Sequence, residues 1–341
     1  MPDTFDLLVI GDANPDIVLG PLDAPLAFGQ REQLVPTGLL TLGGSAAIMA
    51  CGAARLGLKV AIAGRIGDDD TGRYVRTALA ERGVDTAALR VDPDLPTPLT
   101  TVLTRGDDRA ILTAPGTLTA TVGADVPQAL LAHSRHVHAA SYFLLPGLAT
   151  ALPDLFRTAR AHGATTSLDT NDDPAGDWDP AGIAALLPVT DILLPNAREA
   201  CALAAGGETA SGDPEARGKI PAGDPEPADV ERAAALLAAR GPLVVVKNGA
   251  DGALAHDGRG PLRAPAVPVR PLDTVGAGDS FDAGFVAATL AGLPLAAALA
   301  LAAACGALST RAHGGTTAQP TWDEALGASR AATTRNGKNP S

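Results

Sequence analysis

The segment Asp273-Thr274-Val275-Gly276-Ala277-Gly278-Asp279 carries two carboxylates and two glycines, and an apolar helical pattern (Phe281, Phe285, Ala288) starts directly after it. Glycines on either side of a small residue let several backbone N–H groups converge, and the N-terminus of the following helix adds partial positive charge. An anion can be held there without a lysine or arginine beside it. The Asp279 carboxylate, in the first turn of that helix, is placed to accept a proton from an attacking hydroxyl. Together these parts suit transfer of a phosphoryl group to a hydroxyl. The same residues also suit an ordinary strand-to-helix loop in which Asp279 only starts the helix.

The elements needed to position such a turn recur along the chain. Leu7–Ile10 reads as a buried strand ending in the Gly11-Asp12 exit, and Ser45–Leu56 as a helix between Gly43-Gly44 and Gly57. Lys59–Ala63 is strand-like and Thr71–Glu81 helical. Further strands are expected at His136–Ala140, Thr165–Leu168, Asp191–Leu194 and Leu243–Lys247. Helices are expected at Pro153–Ala161, Ile183–Leu187, Ala197–Ala204 and Asp229–Ala239. Alternation of this kind predicts a largely parallel sheet covered by helices on both faces. Residues 17–42, with Leu99–Leu103 and Ala110–Thr113 around a Gly106-Asp107-Asp108 turn, are expected to form a few strands outside that sheet. Residues 206–228 read as a loop, and the polar tail after Ala328 as frayed.

Composition bounds the function. The chain has 341 residues, enough for one large α/β unit, and 46% are hydrophobic but only 3% aromatic, so Ala, Leu and Val must fill the core. A net charge of −12 without a basic stretch argues against a nucleic-acid partner. The Ala/Leu-rich run from Leu290 to Leu308 is interrupted by Gly292, Pro294 and Gly306 and reads as a buried helix, not a membrane span. Cys51, Cys201 and Cys305 show no CxxC spacing, which points to a reducing compartment and no zinc site. MPDTFDLLVIGD at the N-terminus reads as a first strand and not as a signal peptide, so a cytoplasmic location is expected.

The longer string DTVGAGDSFDAGF (273–285) resembles the C-terminal signature of the ribokinase-like (PfkB) carbohydrate kinase family. The resemblance implies Asp279 as general base, an anion hole from Gly276, Ala277 and Gly278, and Asp273 near a monovalent cation such as K⁺. It extends over nearly the whole chain. Gly11-Asp12-Ala13-Asn14-Pro15-Asp16 resembles the family's GxxNxD motif, which gives Asp16 and Asn14 an acceptor-binding role. Gly43-Gly44 resembles the second acceptor motif, and Ser141 and Arg109 fall where acceptor contacts occur. Asn196-Ala197-Arg198-Glu199 resembles the NxxE element that positions Mg²⁺ through water, and Lys247–Gly252, with Gly249, resembles the nucleotide loop. Residues 304–315, with Cys305, occupy the stretch that flanks adenine. The implied fold is a ribokinase-like α/β/α sandwich over residues 1–328, with a β lid from about 17–42 and 97–113 and a flexible tail at 329–341. The lid's open edges offer a homodimer surface.

Two positions depart from the family pattern. Ile48 stands where the GGxxxN motif has Asn, and a buried hydroxyl facing it would lose a partner worth about 1–3 kcal/mol. Asp173 stands where many relatives have Arg in DxNxR, which favours a neutral acceptor over one carrying a carboxylate or phosphate. The implied activity is ATP-dependent phosphorylation of a hydroxyl on a small neutral sugar or similar acceptor. A nucleoside kinase of the same fold and a non-catalytic sugar- or nucleotide-sensing protein are the alternatives.

Overall fold

The computed structural model describes residues 4–106, 108–207 and 225–336. The chain opens with β1 (Phe5–Ile10), β2 (Asn14–Gly20), β3 (Thr37–Gly43) and α1 (Ser45–Arg55). It continues through β4 (Val60–Gly67), α2 (Asp70–Glu81), β5 (Val84–Asp85), β6 (Leu89–Asp92), β7 (Leu99–Arg105) and β8 (Asp108–Ala114). The middle third holds α3 (Gln128–Ala132), β9 (Ser134–Ala139), α4 (Pro146–Ala161), β10 (Thr165–Leu168), α5 (Pro180–Leu186) and β11 (Ile192–Leu193). Then come α6 (Ala197–Gly207), α7 (Pro227–Ala238), β12 (Leu243–Lys247), β13 (Ala253–His256) and β14 (Pro261–Ala264). The chain ends with α8 (Ala277–Leu290), α9 (Leu295–Ser309) and α10 (Trp322–Asn336).

The main sheet runs β14-β13-β12-β11-β10-β9-β1-β4-β5, with β6 alongside β4. It is parallel from β12 through to β5 and antiparallel only at β12-β13-β14. Apolar residues alternate across it. Leu7 and Val9 of β1 join the core under α1, α8 and α9, while Leu8 and Ile10 join the core under α4, α6 and α7. A sheet buried on both faces explains why β1 and β12 read as nearly continuous Val/Ile/Leu runs, while β9 and β10 bury His136, His138 and Ser167, which are hydrogen-bonded to one another. The α9 helix is the buried Ala/Leu helix expected near the C-terminus, and it lies close against α8, where a Cβ on Gly284 would come within 2.7 Å of Cys305 Sγ.

A separate four-stranded sheet, β3-β2-β7-β8, stands beside the main one. The β2-β3 and β7-β8 pairs are antiparallel, and β2-β7 is parallel. Residues 17–42 thus supply the expected strands at their two ends, and Pro21–Pro36 between them contains none.

Other expectations need correction. The tail is helical and partly buried at Ser329 and Ala332, because α10 packs beside α9. Residues 337–341 lie outside the described residues, as do Asp107 and the middle of the expected 206–228 loop. The helix expected at Pro153 begins at Pro146, and Pro153 sits inside it.

Because β1, β9, β10, β11 and β12 are parallel, their C-terminal ends share one edge. The segments leaving that edge carry Asp12, Ser141, Asp169 to Asn171, Asn196 and Asn248. Ligands of open α/β sheets bind at such an edge.

Candidate active site

Helix α8 begins at the edge just described. Its N-cap, Gly276, has φ 72°, and a Cβ there would lie 2.7 Å from the Gly315 Cα and 2.9 Å from Ile48 Cγ2. Only glycine both adopts that backbone and leaves room for these neighbours. Ala277 and Gly278 form the first turn, with N–H groups that have no intrahelical acceptor. Asp273 fixes the approach to this turn. Its carboxylate accepts from the Val275 N–H and the Gly314 N–H, each at 2.9 Å.

Asp279 follows in the same turn and is buried. Burial, then the negative charge of Asp169, push its carboxyl up to about 7, while Lys247 and a hydrogen bond from the Ser45 hydroxyl pull the other way. A carboxyl with such a proton affinity is suited to accept a proton near neutral pH.

Behind Asp279 lies a buried ionic cluster. Lys247 Nζ is 2.6 Å from Asp169 Oδ2 and 3.1 Å from Asp282 Oδ2. Oxygens of Asp169, Asp279 and Asp282 all lie within 4.8 Å of one another. Burial opposes charge on Asp169, yet Lys247 holds it below the usual carboxylate range. Asp282 is pushed well above that range by burial and by the adjoining Asp169 charge. One ammonium thus faces one ionised and one neutral carboxyl, an arrangement that limits the cost of burying charge.

A second group of acids lies across from the α8 turn. Asp16, buried in β2, accepts from Asn14 Nδ2 at 2.9 Å, and the same Asn14 group reaches Thr100 Oγ1 at 3.2 Å. Burial, then the charges of Asp12 and Asp273, raise Asp16 to about 7. Gly43 is required here by close approach, since its Cβ would fall 2.0 Å from Asp16 Oδ1. Gly44 caps α1, and Asp12 accepts from the N–H groups of Ser45 and Ala46 at 3.1 and 3.0 Å. Asn171 links the remaining pieces. Its Nδ2 donates to Ser45 Oγ at 2.9 Å, and its Oδ1 accepts from the Ser141 N–H at 2.8 Å. Arg109 of β8 reaches over from the small sheet, with Nη1 donating to Thr274 Oγ1 at 3.1 Å.

A cavity of about 480 Å³ opens on the other side of the α8 turn, within the range that holds cofactor-sized ligands. Lys247, Gly249, Gly252, Ala277 and Gly278 line it, together with Val267, Phe281, Gly306 and Thr310. Its lining is mostly apolar, with Lys247, Asn248 and Thr310 as the polar side chains besides Thr274.

Several sequence expectations change at this level of detail. Cys305 does not line the cavity; it is buried against Gly284, and burial pushes its thiol up to about 12. Gly306 and Ala303, its neighbours on α9, take the lining role. Asn196 and Glu199 also stand outside the lining and form a reciprocal helix cap, with the Glu199 N–H on Asn196 Oδ1 at 2.9 Å and the Asn196 N–H on Glu199 Oε2 at 2.8 Å. Burial and the Asp169 charge raise Glu199 to about 8. Ile48 is wedged against Gly276 and Gly315, so an apolar side chain there supports the anion turn. Asp173 accepts from the Ala175 N–H at 3.0 Å and the Trp178 N–H at 2.6 Å, so its charge stabilises a local turn. Tyr142 is buried, and its hydroxyl donates to Asp179 at 2.7 Å.

Sequence reasoning missed Asp12, Ser45, Asp282 and Gln319. Asp282 lies three residues after Asp279 on one helix, and that spacing was a usable signal. Gln319 bridges two helices, with Nε2 donating to Ile48 O at 2.9 Å and Ser280 Oγ at 3.1 Å. Nothing local in the sequence marks it.

The model of the pfkB family of carbohydrate kinases matches residues 4–322. The chain belongs to that family. An ATP-dependent ribose-1-phosphate kinase of Halopiger xanaduensis is 31% identical over 319 residues, covering 93% of this chain and 95% of the relative. Among solved structures, Arabidopsis thaliana ribokinase complexed with ribose and ATP has a TM-score of 0.77 at 23% identity, over 96% of this chain and 99% of its own. An E. coli protein provisionally named ribokinase II, in complex with ATP and Mg²⁺, has a TM-score of 0.78 at 24% identity, over 97% and 99%. The fold of this family member is thus ribokinase-like, with a mostly parallel sheet between helical layers.

Proposed function

We propose that this pfkB-family member transfers the γ-phosphoryl group of ATP to a hydroxyl of a small neutral sugar or sugar-like acceptor. The observation that carries the reading is the buried Asp279, held at about 7, in the first turn of α8 beside the amides of Gly276 and Gly278. ATP occupies the 480 Å³ cavity, with Lys247, Gly249 and Gly252 around it. The acceptor lies between Asp16, the Gly43-Gly44 turn and Asp279. Asp279 takes the hydroxyl proton, the oxygen bonds to the γ-phosphorus, and the bond to the β-phosphate oxygen breaks to leave ADP. The anion-hole amides stabilise the charge on the transferring group. Gly43 lets the Asp16 carboxylate lie flat against the backbone, and Ser141 and Asn14 hold the loops that carry it.

A neutral acceptor is supported by the charges around Asp16, since Asp12 and Asp273 both act on it and would repel a second anion. The four-stranded sheet acts as a lid, with Arg109 closing on Thr274, which lines the cavity. Leu39, Leu40, Ile111 and Leu112 are exposed on that sheet and offer a homodimer surface. Residues 1–328 form the kinase unit in this reading, with α10 carrying it on to Asn336. Mg²⁺ is a hard cation that fits the oxygen donors of Glu199 and Asn196 through water, and when bound it neutralises phosphate charge. Asp273 is the residue that would hold K⁺, with one lone pair left on each oxygen beyond its two N–H donors. The three cysteines are free, in keeping with a cytoplasmic location, and among the described residues no helix is long and apolar enough to cross a membrane.

The test is ADP release over neutral sugars, polyols, sugar acids and nucleosides, with Mg²⁺ and with or without K⁺. Turnover is expected on a neutral sugar, and Asp279→Asn is expected to lower kcat by about 10³-fold while ATP still binds. Turnover by Asp279→Asn at the wild-type rate would remove Asp279 as the base, and activity on sugar acids alone would remove the neutral acceptor.

A further inference from the structure

Lys247 closes β12, lines the cavity and sends its side chain under the α8 turn. A Cβ on Gly278 would lie 3.5 Å from Lys247 Nζ, so the ammonium runs beside the anion turn. It is bonded on its far side to Asp169 and Asp282, at 2.6 and 3.1 Å. The groups acting on Asp279 are anionic at Asp169 and Asp12, acidic at Asp282, and cationic only at Lys247 among those described. Three carboxyl groups packed within 4.8 Å compete for charge, and the placement of one cation decides which of them stays ionised.

We infer that Lys247 is a positioning residue for the proton acceptor: by pairing Asp169 with Asp282 under the first turns of α8, its ammonium leaves Asp279 as the carboxylate that takes the hydroxyl proton. The inference rests on the proposed kinase activity and deepens it. Its rivals are a nucleotide contact made by the same ammonium and a purely structural ion pair. A nucleotide contact would act on the affinity for ATP. A structural ion pair would act on stability. A positioning role acts on the pH dependence of turnover, since the Lys247 and Asp169 charges push the proton affinity of Asp279 in opposite directions.

The experiment measures kcat/KM for the acceptor against pH, with KM for ATP, in the wild type, Lys247→Met, Lys247→Arg, Asp169→Asn and Asp279→Asn. Lys247→Met is expected to move the acid limb up by roughly one to two pH units and to lower the rate at neutral pH by roughly tenfold. Lys247 also lines the nucleotide cavity, so KM for ATP is expected to rise as well, and the position of the acid limb, which a nucleotide contact alone would not move, decides. Lys247→Arg, which keeps the charge, returns the limb toward its original position. Asp169→Asn is nearly isosteric and moves the limb down by about one unit, the opposite sign. If Lys247→Met fails to fold, the Asp169→Asn and Lys247→Arg profiles decide. Limbs that do not move, or a Lys247→Met loss confined to KM for ATP, overturn the inference. Wild-type turnover by Asp279→Asn instead sinks the kinase mechanism beneath it.

Discussion

The two sides of the reaction centre are built by different means. The phosphate side is one contiguous turn, Asp273 to Asp279, whose working groups are mostly backbone amides at the start of α8. The acceptor side is assembled from the Asp12–Asp16 segment, the Gly43–Ser45 turn, Ser141 and Asn171, with Arg109 brought across by a second sheet. A backbone device needs little from its neighbours except room, and Gly276, Ile48 and Gly315 provide it. A side-chain device depends on every link in its hydrogen-bond chain. Perturbation of the acceptor side should therefore show in acceptor affinity and leave the nucleotide side nearly untouched.

Gly43→Ala is the sharpest way to break that asymmetry. Its new methyl group would meet the Asp16 carboxylate at 2.0 Å, and one of the two must move. The expected result is a fall of about 100-fold in kcat/KM for the acceptor, since small displacements of positioning groups are costly. KM for ATP should stay near the wild-type value. Equal losses on both substrates would show that the two sides are not separable.

Arg109→Ala probes the one described link between the small sheet and the anion turn that spans both sides. The guanidinium is exposed, so its hydrogen bond to Thr274 contributes modestly. A rise of about tenfold in KM is expected for acceptor and ATP together, because a closing lid commits both. A change in only one of the two constants would place Arg109 with that substrate and not with closure.

The same contrast explains what was legible in the sequence. The parallel sheet could be read because β1 and β12 are apolar on both faces and because strand-like and helical segments alternate along the chain. The anion turn could be read because its parts are adjacent in the chain. Asp282 and Lys247 are 35 residues apart and meet only through packing of α8 on β12, so the ammonium could be assigned to a nucleotide loop but not to a buried acid pair. Cys305 was placed at the nucleotide because its stretch flanks adenine in the family it resembles, yet on α9 it is Gly306 that lines the cavity, and Cys305 packs against Gly284. Asp173 and Ile48 were read as changes in the pocket, and in the structure each also serves local packing, one as an acceptor for turn N–H groups and one as a wedge. The tail failed for a simpler reason. Its polar residues form the outer face of α10, and the few small residues on the inner face, Ala325, Ser329 and Ala332, are too weak a pattern to detect.

The last prediction concerns pH, where both sides share one property. Asp16 and Asp279 each sit at about 7, well above the value of a carboxyl in the unfolded chain, and burial is the leading cause for both. A group whose folded value is raised gives stability that is complete below the unfolded value and is lost as pH rises through the folded one. These two acids should therefore lower stability as pH rises from about 6 to 8, by on the order of 1 kcal/mol each, against the opposite trend of His136 and His138, which burial holds neutral at about 3 and about 4. Turnover should rise over the same interval, since Asp279 must be ionised to take a proton. Asp279→Asn removes one titrating group and should flatten part of the slope in thermal melts. Asp16→Asn should flatten a similar part, because the two are raised alike. A pH slope that neither substitution flattens would mean that the two acids are already ionised in the folded state, and that ionisation of the base costs the fold nothing.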